Sequence, residues 1–128
     1  MSYSVRADVN FIFGAANVTA WATRDDADDA TDIADRITRA IAEADEEIDD
    51  LLRVCYYQIP LINTSGTTPV TVRGLSARMA GVRLYESMGV MDYNAESGVA
   101  RHRLSWHWDY AQHVLAEVRD GKRKLNAV

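Results

Sequence analysis

The sequence predicts an all-α protein: a small helical bundle with one long acidic helix, a central helix buried on both sides, and a C-terminal helix followed by an extended tail. Three observations carry this reading. Apolar residues recur at three- and four-residue steps through three long stretches, which puts them on single helix faces. The only two prolines, Pro60 and Pro69, fall together in the break between two of those stretches. No segment shows the strict alternation that a half-buried strand requires. With 128 residues the chain is one domain, residues 1–120, with residues 121–128 as its tail.

The elements follow in order. Ser4 caps a short helix running to about Phe13, and Gly14 stands where a left-handed C-terminal cap is wanted. Residues 17–22, NVTAWA, make one helical turn carrying Trp21, and TRDDADDATD is a polar loop whose later aspartates suit a helix N-terminus. Residues 29–56 form the clearest element. Ile33, Ile37, Ala40, Ile41, Ala44, Ile48, Leu51 and Cys55 share one face. Glu43, Asp45, Glu46, Asp49 and Asp50 fall mostly off it, as the solvated side. Such a helix is on the order of 40 Å long. Pro60 cannot continue it, and Ile59 is biased to an extended shape.

Thr68 is the expected N-cap of the next helix, with Pro69 at its first position. Over residues 70–88 Val72, Leu75, Met79 and Val82 form one apolar stripe. Gly74, Ala77, Gly81, Leu84 and Met88 form a second on the other side, so this helix is buried on both. Gly89 ends it. A last helix over residues 96–120 has Leu104, Trp108, Ala111, Leu115 and Val118 on its core face, with Gly121 as its stop. Trp106 and Tyr110 point away from that face. They meet either another part of the fold or another chain, since Trp and Tyr are enriched at the energetic centres of interfaces.

Charge is divided along the chain. Residues 1–72 hold thirteen acids and five bases, a net of −8, whereas residues 73–128 hold six acids and nine bases, a net of +3. An overall net charge of −5 argues against wrapping nucleic acid. The halves suit a protein that packs against copies of itself. No apolar run approaches the ~20 residues of a membrane helix. The N-terminus lacks the pattern of a secretion signal. Cys55 is the only cysteine, which excludes an internal disulfide and fits synthesis in a cytoplasm.

No chemistry emerges from the motifs. In the aspartate-rich loop, a calcium hand starting at Asp26 meets Ala30, Thr31 and Ile37 at positions 5, 6 and 12. Started at Asp28 it meets Ala30 and Arg39 at positions 3 and 12, so both registers fail. Glu46, Glu47, Asp49 and Asp50 lack an accompanying Glu-x-x-His, and one helix cannot surround a metal. His102, His107 and His113 are spaced five and six apart, not the three or four of helical metal pairs. Cys55, in register with the apolar stripe, reads as a small core residue. The expectation is a protein without enzymatic activity, metal or cofactor.

The order of these features resembles the small head–tail connector (adaptor, or head-completion) proteins of tailed bacteriophages, particularly the Mu-like branch. The resemblance is carried by A-x-x-E-I-D-x-x-L (Ala44, Glu47, Ile48, Asp49, Leu52) and by Tyr57 with Pro60 and Leu61 just after it. Leu84 and Tyr85 follow in the next helix, and Gly121, Lys122 and Leu125 close the chain. The connection over 62–69 is longer than in the short members, and SWHWDY is richer in aromatics.

The resemblance implies a structural virion protein in the neck between head and tail. About a dozen copies would form a closed ring beneath the portal protein, extend the DNA channel and offer a platform to a tail-side stopper or terminator protein. DNA would pass without specific binding. The implied portal- or neighbour-binding residues are Lys122, Arg123, Lys124 and Leu125, with Trp106 and Tyr110 as subunit-interface candidates. Asp45, Glu46 and Asp49 are channel-lining candidates, because an acidic wall gives DNA phosphates no cations to bind. The alternative is a small helical regulator that binds one protein partner through its last helix.

Overall fold

The computed structural model describes residues 2–25, 27–88, 92–94, 99–101 and 104–128. Its helices are α1 (Arg6–Phe13), α2 (Ala15–Ala22), α3 (Ala30–Leu52), α4 (Val70–Glu86) and α5 (Ser105–Arg119). Between α4 and α5, β1 (Asp92–Asn94) pairs antiparallel with β2 (Val99–Arg101), Asp92 standing opposite Arg101. The all-α bundle is as the periodicity requires, with this small hairpin as its one addition. The hairpin also corrects the start of the last helix. Residues 99–101 take their backbone partners across the ladder, so α5 begins at Ser105 and not near residue 96. Gly89, the expected helix stop, lies outside the described residues.

α4 is the central element and packs against α1, α2, α3 and α5. The predicted stripes are buried over most of their length: Val72, Leu75, Met79 and Val82 on one side, Ala77, Gly81 and Leu84 on the other, with Gly74 and Met88 of the second only half-buried. Gly81 lets the Phe13 ring lie directly on the helix, since a Cβ there would come within 2.0 Å of it. Phe13 meets Trp21 edge-on at 5.4 Å, and Trp21 meets Tyr85 at 5.3 Å, which joins α1, α2 and α4 in one aromatic cluster. α3 lies alongside, burying Ile37, Ala40, Ile41, Ala44, Ile48 and Leu52. Each of its large side chains contributes roughly 1.5–3 kcal/mol of hydrophobic stabilisation.

Several boundaries differ from the sequence reading, each for a local reason. Ser4 does not cap α1. Val5 is the N-cap, and the Ser4 hydroxyl instead shares a buried hydrogen bond with Ser76 at 2.7 Å. α2 is an eight-residue helix, not a single turn, and joins α1 directly at Gly14. α3 starts as expected, Asp29 accepting from the Asp32 N–H in a reciprocal capping box. It ends at Leu52, so Cys55 sits half-buried in the turn beyond, its thiol 3.9 Å from the Arg119 carbonyl. Pro69, not Thr68, is the N-cap residue of α4. The Ile59–Pro60 peptide is cis.

The largest correction concerns the tail. Gly121, at φ 79°, ends α5, and the Lys122 N–H reaches back to the Glu117 carbonyl at 2.8 Å. The chain then turns back on itself. The Leu125 N–H donates to the Tyr57 hydroxyl (2.9 Å), and Val128 exchanges backbone hydrogen bonds with Gln58 and Ile62, both 2.7 Å. Leu125 is 8 % exposed and belongs to the core. In this structure the segment is a clasp on its own chain.

Candidate functional site

The corner after α3 and the clasped tail together enclose a groove of about 510 Å³. Its floor is Cys55, Tyr57, Leu125 and Ala127, and its walls include Val54, Tyr56, Arg123 and Lys124. Val54 and Tyr56, two residues apart on the rim, are almost fully in water, 77 % and 108 % exposed. Tyr57 points the other way, into contact with the core and the tail. The double tyrosine is therefore one anchor and one exposed ring. Lys122, Arg123 and Lys124 are all exposed, and Arg123 makes an ion pair with Glu117 at 3.4 Å. Leu125, implied as an anchor in a partner, is buried in its own chain.

A second surface lies on α5. Trp106 and Tyr110 are 58 % and 46 % exposed, as their position off the core face requires. Arg78 of α4 spans both rings, its guanidinium carbon 5.7 Å from the Trp106 centroid and 5.0 Å from that of Tyr110. Arg78 also lies 2.7 Å from the Nδ1 atom of His107, which is buried and packs edge-on to Phe13 at 4.8 Å. Burial, and then the charge of Arg78, lowers the His107 pKa to about 4. A neutral imidazole accepting from Arg78 thus backs an aromatic–cation patch. Sequence periodicity finds the two aromatics; Arg78 comes from another helix and is invisible to it.

The acidic candidates on α3 separate. Glu46 is exposed, whereas Asp49 is half-buried and accepts a short hydrogen bond from the Tyr3 hydroxyl. Asp45 is not on the solvated side at all: it is 7 % exposed. It accepts from the Tyr3 N–H at 2.9 Å and from the Ser76 hydroxyl at 2.5 Å. Burial raises its pKa above the usual carboxylate range, against the hydrogen bonds that lower it. The Tyr3 hydroxyl, raised by burial and by Asp49, also accepts from the Leu61 N–H at 2.9 Å. Asp45 and Asp49 therefore hold the N-terminal segment against α3, α4 and the corner. Glu46 alone of the three remains a free acidic surface residue.

His113 is exposed and pairs with Glu117 at 2.8 Å, while His102 lies outside the described residues. Among the described residues no group of three His, Cys, Asp or Glu is placed to hold a metal, and no helix is long and apolar enough to cross a membrane. What the arrangement offers is contact surface: an apolar groove rimmed by cations, an aromatic patch around Arg78, and an acidic outer face on α3. Comparison with known families decides the relationship. The model of a family described as "Bacteriophage Mu, Gp36" matches residues 3–128. The chain belongs to the bacteriophage Mu Gp36 family. Among curated proteins no match is found. Membership points to a virion-related phage protein. The match spans the N-terminal segment, the helical bundle and the C-terminal tail alike.

Proposed function

We propose that this chain is a head–tail connector: a non-enzymatic adaptor that assembles as a closed ring of about a dozen copies beneath the portal, extends the DNA channel and carries the tail-side protein. The observation that carries the reading is the family match over nearly the whole chain, 3–128. The surfaces support it. Trp106, Tyr110 and Arg78 present the residue types that dominate interface energetics, on two packed helices that do not have to reorganise. A ring needs two different surfaces to meet head to tail, and the acidic face of α3 and the cationic rim of the tail groove differ in sign.

Lys122, Arg123 and Lys124 meet acidic groups on the portal or a neighbouring subunit from the clasped position, without release of Leu125. Glu46 is the remaining channel-wall candidate of the three acids. DNA crosses without specific contacts. The exposed Trp106 and Tyr110 equally suit a regulator that binds a single partner, and assembly separates the two readings. Native mass and negative-stain images of concentrated protein, alone and with portal-bearing particles, give a closed ring or portal-bound copies for a connector. A chain that stays monomeric and ignores the particles overturns the proposal.

A further inference from the structure

Beside α3, a cavity of about 270 Å³ is lined by four arginines: Arg24 from the segment after α2, Arg36 and Arg39 from α3, and Arg83 from α4. Glu43 and the Ser87 hydroxyl complete its polar lining. Two of the four cations are answered. Arg36 pairs with Asp28 at 2.5 Å, and Arg83 pairs with Glu47 at 2.5 Å and Glu43 at 3.7 Å. The other two have no carboxylate partner among the described residues. Arg24 spends its donors on the Trp21 carbonyl and the Ser87 hydroxyl, and Arg39 is exposed with none. In an otherwise acidic half of the chain, unpaired guanidiniums from separate elements converge on one recess. The Arg83 Nε–H, moreover, is buried without a hydrogen-bond partner.

The geometry points to a binding site for a small free oxyanion of the phosphate or sulfate type. Guanidinium forks match the oxygens of such an anion, and its charge is what Arg24 and Arg39 leave unanswered. The volume holds one such ion with some of its water, and is below that of a typical drug-sized site. A polyanion is disfavoured by what lies next door. Arg83 also borders a second cavity, of about 380 Å³, whose other walls are Glu43, Glu46, Glu47 and Asp50. A DNA strand reaching the arginines would lay its neighbouring phosphates over those carboxylates. The site stands whether or not the chain forms a ring.

The test is isothermal titration of the full chain with sodium phosphate at constant ionic strength, with Arg39→Gln and, as a control at the far end of α3, Arg53→Gln. Among the described residues the exposed Arg39 side chain makes no hydrogen bond or ion pair, so its replacement is expected to leave the fold intact. A saturable signal is expected, weakened roughly tenfold in Arg39→Gln, the weight of one charge-assisted hydrogen bond, and unchanged in Arg53→Gln. Absence of saturable binding, or equal binding by the Arg39 variant, overturns the site. A short labelled DNA duplex run in parallel is expected to show no dependence on Arg39. Duplex binding that is lost in Arg39→Gln, and tighter than phosphate binding, overturns the free-anion assignment in favour of DNA.

Discussion

Removing the Asp45 carboxylate strips two buried donors, the Tyr3 amide and the Ser76 hydroxyl, of one acceptor at once. Asp45→Ala is expected to lose about 1–3 kcal/mol of stability in urea unfolding, the usual effect of orphaning buried polar groups. A loss near zero would mean that water replaces the carboxylate. His107 supplies the matching pH prediction. Its pKa lies at about 4 in the fold against an ordinary 6.5, so the fold holds the neutral ring. The stability it contributes is present above pH 6.5 and lost as pH falls towards 4, because the unfolded chain binds the extra proton. Thermal melts should therefore fall more steeply between pH 7 and 4.5 for the native chain than for His107→Gln. Parallel slopes would contradict the assignment. Neither residue's role is legible in the sequence. Asp45 sits beside Ala44 at the edge of the apolar stripe, and its partners lie 42 and 31 residues away.

At the scale of elements, helical periodicity fixes what is local. The apolar stripe of α3 and the two stripes of α4 are real, because burial against one or two neighbours imposes that spacing. The end of α3 and the fate of the tail depend on tertiary partners, so the same spacing misplaces them. Cys55 continues the stripe by count but follows the last helical turn, and KRKLNAV reads as polar and free although Leu125 is core. A chain ending at residue 121 is accordingly expected to be less stable. It loses Leu125 burial and the backbone pairing of Val128 with the corner. Leu125→Ala alone should lower stability by about 2 kcal/mol, as for other buried leucines. Melting of the truncated chain at the native temperature would show that the clasp does not hold in solution.

The whole molecule is a helical bundle with surfaces of opposite sign and an aromatic patch outside its core. The class and the likeness to a Mu-like phage family are legible because they need only the order of helices, turns and glycine stops along the chain. The surfaces were half legible. Trp106 and Tyr110 follow from one helix, while Arg78, the tail groove and the arginine cavity are assembled from several elements. Trp106→Ala with Tyr110→Ala should lower the monomer's melting only modestly, since both rings stand half-exposed outside the core, and abolish assembly. The most direct measurement is cryo-electron microscopy of portal-bearing particles incubated with the native chain and with this double variant. A connector gives a ring of density beneath the portal for the native chain and bare portals for the variant. Bare portals with the native chain, together with a monomer in solution, would contradict the connector assignment.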